Sequence, residues 1–357
     1  MNITKMVKEL QSVMNLEFDE RAKAFHECKE KLEIEVNNNP SNIQAFSLMA
    51  MINLELRNDT KISIDILEDC YNKNKNNMSK DRYSLWATNM AYLLSEEYEE
   101  VDKSVEVLTK AIECKSKYDN TYYALGKLFF KRKNYKEAII LFNKAFKISP
   151  HKIYKYNEAV SLIASDDKEE GILELKSIYT YPYEDEEING RIALLLGREL
   201  ALNGELEEGK KIIQLLLESS YESLEVGASE LAECMYILGD YHKCIELYDE
   251  DNLYKDESWI GQYFYALKES YGIDASEKKM NEIEEEIVKN IYEEETNYAE
   301  WDSEEDCKEY VDGEKVRLNS IKECYRQVVN GIKPFVEIDY DIFYQCYYIN
   351  CPRHYVG

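Results

Sequence analysis

The chain has 357 residues, of which 45% are hydrophobic and 32% charged, so apolar material is ample and the composition argues against wholesale disorder. Only 5 Pro and 13 Gly occur, which disfavours the many tight turns of a β-sandwich or barrel and favours long helices. The 71 acidic and 44 basic residues give a formal net charge of -27, and this charge opposes direct binding of nucleic acid.

The amino-terminal stretch mixes charged and apolar residues throughout, and no run of about 18 apolar residues occurs in the sequence. We therefore expect no membrane insertion and a cytoplasmic location. Nine cysteines are scattered without a dense framework. An odd number in a chain of this length indicates reduced thiols, many of them small residues of the core.

Residues 1–40 are predicted to form a helical hairpin. Two apolar-periodic stretches, Ile3–Met14 and Glu20–Val36, are followed by three asparagines and Pro40, a sequence that ends a helix. Because the pattern of this hairpin differs from that of residues 41–256, we interpret it as an amino-terminal cap.

Residues 41–256 repeat a pair of small residues separated by 12 or 13 positions. Small residues at a crossing allow two antiparallel helices to approach closely. In the clearest unit, Asp119–Lys152, the small pair is Gly126 with Ala138, and the unit also has aromatic, leucine, alanine and proline positions, namely Tyr122, Leu125, Phe129, Phe142, Ala145 and Pro150. The small pair recurs as Ala50 with Ser63, Ala91 with Ser104, Ala159 with Gly171, Gly197 with Gly209 and Ala232 with Cys244.

This pattern resembles the tetratricopeptide repeat, whose eight characteristic places are all filled in the unit Asp119–Lys152. Its period of about 34 residues is close to the spacing of the six units. The resemblance implies an all-α fold, a right-handed superhelical solenoid of helix-turn-helix repeats with atypical helical caps and an irregular or extended carboxy-terminal tail.

The resemblance also implies a concave groove lined by the first helix of each repeat, in which a partner protein or peptide is bound. We assign groove-facing positions in this sequence from the corresponding places of the repeat. The resulting lining contains aromatic residues and a few basic residues, which suits a segment with apolar and some acidic side chains. The predicted groove residues are Thr88, Tyr92, Tyr123, Lys127, Phe130, Tyr156, Arg191, Leu194 and Arg198. The alternative is that some of these aromatic side chains pack between neighbouring repeats.

Residues 257–333 are predicted to contain a degenerate repeat and acidic helices. Between Glu277 and Glu314 there are 16 acidic and 4 basic residues, which indicates either a solvated face or a surface for a basic partner. A last helix is predicted over Val316–Val329, with four candidate buried positions, Val316, Ile321, Cys324 and Val328.

Residues 334–357 are predicted to form an extended tail. From Val336 to Ile342 apolar and acidic residues alternate, which is a strand pattern. An isolated strand is not stable, so the segment must pair with another strand, pack on the final helices or lie inside the groove.

No catalytic motif is present in the sequence: it lacks a Gly-rich phosphate loop, a nucleophile elbow and a pair of histidines at metal-binding spacing. The metal-ligand candidates are Cys346, Cys351 and His354, with Cys324 as a further candidate, but their spacing is not a recognised one. We therefore expect no cofactor and no enzymatic activity. The predicted function is an intracellular adaptor or scaffold, and the alternative is an acidic inhibitor, of the toxin-immunity type, that neutralises a basic partner.

Overall fold

The computed structural model describes residues 1–183, 187–297 and 301–354. Within these ranges the regular structure is helical and no strand is present, which confirms the predicted all-α helical repeat fold. The chain forms two compact units. Unit 1 contains Met1–Ile178 together with the chain from Tyr340 onward, and unit 2 contains Tyr179–Asp339.

Unit 1 is a series of helix pairs. Each pair packs its two helices against one another, and the following pair adds to the stack. The helices are α1 (Ile3–Gln11), α2 (Phe18–Asn38), α3 (Ile43–Glu55), α4 (Thr60–Asn74), α5 (Lys80–Tyr92), α6 (Val101–Glu113), α7 (Asp119–Lys131), α8 (Tyr135–Ile148), α9 (Lys152–Ala164) and α10 (Lys168–Ile178). Two helices, α1 and α2, lie in residues 1–40, for which a helical hairpin was predicted, and α2 ends just before Pro40.

The small residues lie where the helices of a pair cross. The Ser63 hydroxyl donates to the carbonyl of Ala50 at 2.9 Å, and a hydrogen bond of the same kind joins Ser104 to Ala91 at 3.2 Å. In the α7–α8 pair, a Cβ placed on Gly126 would lie 2.9 Å from the ring of Phe142. The sequence pointed to Ala138 as the facing residue, and the structure shows the Phe142 ring as the nearest obstacle.

Unit 2 is also built from helix pairs. Its helices are α11 (Glu187–Leu202), α12 (Leu206–Leu217), α13 (Ala228–Leu238), α14 (Tyr241–Asp249), α15 (Glu257–Tyr271), α16 (Ile273–Thr296) and α17 (Glu304–Val329). The α15–α16 pair retains the crossing contact of the earlier pairs, because the Ser276 hydroxyl donates to the carbonyl of Phe264 at 3.2 Å. This pair thus resembles the other repeats more closely than its sequence indicates.

Helix α17 begins at Glu304, twelve residues before the predicted start, and this changes which face is buried. Its buried residues include Val311, Leu318, Ile321 and Val328. Val316, predicted to be buried, is 69% exposed because it lies off the stripe that these four residues define on the longer helix. The prediction for Val316 is therefore wrong, whereas those for Ile321 and Val328 hold.

The chain beyond Gly331 is extended and irregular, as predicted for the tail. Its alternation matches the sequence pattern: Val336 and Ile342 are buried, whereas Glu337, Asp339 and Asp341 are exposed. No ladder of strand hydrogen bonds forms in the described part of the tail. None of the helices in the described ranges has the length and apolar character needed to cross a membrane.

Candidate functional site

The last part of the chain lies along the first helices of unit 1, a face that we call the tail groove. It is formed by α3, α5, α7 and α9, and the residues that occupy it, 342–353, are called the tail segment. The tail segment passes α9 first and reaches α3 last, as the contacts of Phe343 with Asn157 and of Arg353 with Glu55 show. It therefore runs in the direction opposite to the order of the repeats.

Two asparagines hold the backbone of the tail segment by two hydrogen bonds each. The side-chain amide of Asn157 donates to the carbonyl of Phe343 at 3.0 Å and accepts from its N–H at 2.7 Å. Asn89 binds Ile349 in the same way, at 3.1 and 2.7 Å. An asparagine amide has both a donor and an acceptor, so it can satisfy both backbone groups of one residue in an extended segment.

The helix between these two, α7, contributes further backbone contacts. The Tyr123 hydroxyl accepts from the N–H of Gln345 at 2.8 Å and donates to the carbonyl of Phe343 at 3.2 Å. Asn120 donates to the carbonyl of Tyr347 at 3.0 Å. Residues 343, 345, 347 and 349 are thus held by their backbones, with the period of two that an extended chain requires.

Two aromatic side chains of the tail segment fill the groove. Tyr347 and Tyr348 are 0% and 3% exposed, and their rings pack edge-on against Tyr92, with centroids 5.3 and 5.4 Å away. The Tyr348 hydroxyl donates to the carbonyl of Ser47 at 2.6 Å. These two buried rings give the tail segment a large apolar contact with the groove.

A π-helical turn, Leu93–Glu97, extends α5 and positions polar groups around Tyr347. The Tyr347 hydroxyl donates to Glu96 at 2.9 Å and lies 2.6 Å from the hydroxyl of Ser95. Local π-helical turns are often found at functional sites. Here the turn supplies the hydrogen-bond partners that a buried tyrosine hydroxyl needs.

A buried ion pair lies beside this tyrosine. The Lys127 Nζ is 2.6 Å from Glu96 Oε2 and 4.1 Å from the ring centroid of Tyr344. Burial raises the pKa of Glu96, but the hydrogen bond and charge of Lys127, with those from Tyr347 and Ser95, outweigh it and hold that pKa below its ordinary value. Burial lowers the pKa of Lys127, against the opposing effect of Glu96. The carboxylate of Glu96 is therefore charged inside the groove.

The far end of the tail segment is fixed by an arginine. Arg353 forms an ion pair with Glu55 on α3, and a second, longer contact of 3.9 Å joins it to Glu97. Burial lowers the pKa of the Arg353 guanidinium, but the charge and hydrogen bond of the Glu55 carboxylate outweigh burial and raise this pKa above its ordinary value. Both ends of the tail segment are thus attached to first helices.

Four of the predicted groove residues contact the tail segment: Tyr92, Tyr123 and Lys127, as described, and Tyr156, whose ring lies 6.4 Å from that of Phe343. Other predicted residues lie within the stack of repeats. Thr88 shares a hydrogen bond of 2.8 Å with Thr121, and Phe130 packs on Tyr135 at 5.2 Å.

The three predicted residues of unit 2 lie on α11. Arg191 pairs with Glu230 at 2.7 Å, Arg198 lies 3.7 Å from Glu199, and Leu194 is buried at 3% exposure.

The backbone-binding asparagines were missed by the sequence analysis. A signal for them exists, since Asn89 and Asn157 each stand two places before the small residue of their repeat, Ala91 and Ala159. An amide at the same place of two repeats indicates that both side chains have the same polar role. Burial of both asparagines at 0% exposure agrees with this interpretation.

A second contact region lies in unit 2, just after α17. The Lys333 Nζ is 5.1 Å from the ring centroid of Tyr236 and 5.8 Å from those of Tyr241 and Tyr265. The Tyr236 hydroxyl donates to the carbonyl of Pro334 at 2.9 Å. The three rings attract the ammonium group by cation–π interaction and fix the point at which the chain leaves α17.

The metal-ligand candidates Cys346, Cys351 and His354 come together in the structure. Their ligand atoms lie within 4.8 Å of one another, and the Cys351 Sγ is 3.9 Å from the His354 Nδ1. Cys324 is not one of this group; it lies on α17 beside Gly261.

The stacked helix pairs and the groove along their first helices define a helical repeat protein. Residues 120–152 match the family model of the tetratricopeptide repeat, which confirms the resemblance predicted from the unit Asp119–Lys152. The chain is thus a helical repeat protein in which residues 120–152 are similar to the tetratricopeptide repeat. A comparison with curated proteins finds no significant match.

Several solved structures resemble the chain at low sequence identity. The MamA protein is 15% identical, with a TM-score of 0.34 over 49% of this chain and 88% of that one. Yeast Tom70 is also 15% identical, with a TM-score of 0.42 over 84% of this chain, which spans 61% of the Tom70 chain. The P58(IPK) TPR domain is 11% identical, with a TM-score of 0.24 over 92% of this chain and 99% of that one. Identities this low do not indicate a shared function.

Proposed function

We propose that the protein is a protein-interaction adaptor whose tail groove binds an extended segment of a partner, and that its own tail segment occupies this groove in the absence of the partner. The observation that carries the proposal is the pair of asparagines, Asn89 and Asn157, each of which binds both backbone groups of one tail residue. Tetratricopeptide repeats typically act as scaffolds for proteins and not as enzymes.

The contacts in the tail groove are of a kind that a partner segment could make in place of the tail segment. Backbone hydrogen bonds do not depend on the side chains of the bound segment, so any extended segment can make them. Each such bond contributes only about 0.5 to 1.5 kcal/mol net, because water competes for the same groups. A partner segment that places aromatic side chains at the positions of Tyr347 and Tyr348 would therefore make the same contacts as the tail, and it displaces the tail when its concentration or its further contacts outweigh the tail's attachment to the chain.

The proposal also specifies the partner's chemistry. Lys127 is paired with Glu96 of the groove itself, whereas Glu55 is paired with Arg353 of the tail segment, so the groove offers a partner hydrogen bonds, aromatic surface and one carboxylate for a basic side chain. We propose a segment with two adjacent aromatic residues in an extended conformation. A cytoplasmic setting is part of the proposal, since nine scattered cysteines suit a reducing compartment.

The test is hydrogen exchange and peptide binding with the full chain and an Asn89→Ala, Asn157→Ala double variant. In the native protein we expect slow exchange at residues 343–349. The double variant should lose that protection, because four of the backbone hydrogen bonds are gone. A labelled peptide of residues 340–354 should bind at least ten-fold more tightly to a chain whose own tail carries Tyr347→Ala and Tyr348→Ala than to the native chain, because only the native tail competes for the groove.

A matched control is Asn53→Ala, since Asn53 is a buried asparagine of α3 that bonds Ser63 at 3.0 Å inside its own repeat. This variant should lower the thermal midpoint but leave the protection of residues 343–349 unchanged. Equal protection of the tail in the native chain and the double variant would overturn the proposal. Equal peptide affinity of the native chain and the Tyr347→Ala, Tyr348→Ala chain, or no binding of the peptide to either, would do the same for partner binding.

A further inference from the structure

The tail segment turns back on itself just after its two buried tyrosines. Asn350 has a positive φ of 65°, a value that asparagine adopts more readily than most residues. The N–H of Cys351 donates to the carbonyl of Tyr348 at 3.3 Å. This turn returns the chain towards Cys346 and brings two thiols and an imidazole to one place.

We propose that Cys346, Cys351 and His354 form a binding site for a single divalent zinc-like cation. Their ligand atoms lie within 4.8 Å of one another. In tetrahedral zinc sites, bond lengths of about 2.3 Å to sulfur and about 2.1 Å to nitrogen put a sulfur and a nitrogen ligand about 3.6 Å apart. The distance of 3.9 Å between Cys351 Sγ and His354 Nδ1 is close to this value.

The donor set selects the class of cation. Two thiolates and one imidazole suit zinc and related soft or borderline ions, whereas magnesium and calcium require oxygen ligands. The side chains provide three of four tetrahedral positions, and water completes the fourth. His354 is exposed, so an ion can reach the site from solvent without unfolding the groove.

Metal binding would act on the tail segment. A cation held by residues 346, 351 and 354 closes the loop that contains Tyr347, Tyr348 and Arg353, all of which contact unit 1. Because the closed loop loses less conformational entropy on docking, the metal should favour the docked tail over the released one. The metal-binding readout itself does not depend on whether the groove binds a partner.

The experiment titrates the full reduced chain, freed of metal by a chelator, with Co²⁺ alone. The expected result is one equivalent bound with thiolate-to-cobalt charge-transfer absorption in the near ultraviolet, followed by displacement on addition of Zn²⁺. His354→Ala should weaken binding at least ten-fold, and the Cys346→Ser, Cys351→Ser double variant should abolish the charge-transfer band. The exposed position of His354 makes the single variant safe for folding.

The control is Cys324→Ser, since Cys324 is a partly exposed cysteine outside the group. It should bind Co²⁺ like the native chain. In a second readout, Zn²⁺ should slow hydrogen exchange at residues 347–349 in the native chain but not in His354→Ala. The proposal is overturned if the double variant retains the charge-transfer band, if Cys324→Ser loses it, or if the reduced native chain binds no metal.

Discussion

At the scale of single residues, Glu96 links the charged groups of the groove to the tail segment. Its carboxylate receives hydrogen bonds from Lys127 at 2.6 Å and from Tyr347 at 2.9 Å. These partners, with Ser95, hold the pKa of Glu96 below its ordinary value despite burial, which acts to raise it. Since Tyr347 belongs to the tail, the protonation state of Glu96 is linked to tail docking.

The tail should therefore be released by acid. A carboxyl group whose pKa is lower in the folded state contributes stability that is fully present above its unfolded pKa of about 4.3 and is lost as the pH falls through the lower folded value. We expect the exchange protection of residues 343–349 to fall as the pH drops below the unfolded pKa and through the lower folded pKa of Glu96. The measurement is hydrogen exchange corrected for intrinsic rates.

The matched variant is Glu96→Gln, which retains a similar shape but cannot titrate. Its tail should be less protected at pH 6 and should lose less protection on acidification. If the native chain and this variant show the same fall in protection, the acid response comes from other carboxylates and the assignment to Glu96 is wrong.

How much of the site is predictable from the sequence depends on the residue. Tyr92, Tyr123 and Lys127 follow from the repeat register alone, because that register fixes which face of a first helix each residue occupies. Their contact with the tail does not follow, since it depends on a segment more than 200 positions away in the chain. Asn89 and Asn157 can in principle be predicted from the sequence, because both occupy the same position within their repeats.

At the scale of elements, the two helices of a pair approach so closely at their crossing that an added side chain would clash with the facing helix. In the α11–α12 pair, a Cβ on Gly209 would lie 2.7 Å from the carbonyl oxygen of Gly197 and 3.1 Å from the backbone nitrogen of Ala201. Both obstacles are backbone atoms, so no rotamer change can relieve the clash. The helices would have to separate.

Gly209→Ala should therefore destabilise the protein by about 1 to 3 kcal/mol through overpacking. The matched control is Gly313→Ala within α17, where an added Cβ meets nothing within 4 Å and alanine is the better helix former by up to about 1 kcal/mol. The thermal midpoint should fall for the first variant and stay equal or rise for the second. A rise or no change for Gly209→Ala would contradict the crossing geometry.

Element boundaries were less predictable than element type. The helix pairs follow from the recurring small residues, because each crossing needs them at a fixed spacing. The start of α17 does not, since its first turns, from Glu304, are rich in acidic residues and lack a strong apolar stripe. This is why Val316 was assigned to the wrong face.

At the scale of the whole molecule, the tail is the feature that the sequence left open. Alternation of apolar and acidic residues from Val336 to Ile342 predicts an extended segment, and the structure has one. The same alternation is compatible with pairing to a strand, packing on the final helices or lying in the groove. Only the three-dimensional placement of Asn157 and Tyr123 beside Phe343 and Gln345 decides among them.

The charge of the molecule is concentrated in α16 and α17. Lysines partly compensate it, since Lys322 pairs with Glu284 at 2.5 Å and Lys315 with Glu295 at 3.1 Å, both joining the two helices. The stretch from Glu277 to Glu314 still has 16 acidic and 4 basic residues. Repulsion among these charges should oppose folding, and a basic partner, which stays a prediction from the sequence, would relieve it.

Salt should therefore stabilise the protein. Raising the ionic strength from about 0.01 to about 0.1 M shortens the screening length from about 30 to about 10 Å, so like charges repel less and the thermal midpoint should rise. A variant with Glu277, Glu285 and Glu309 changed to Gln, all exposed in the native chain, should start from a higher midpoint at low salt and gain less from added salt. A midpoint that falls with salt in the native chain would mean that the ion pairs between α16 and α17 outweigh the repulsion, and the acidic stretch would then be a balanced surface with no need of a basic partner.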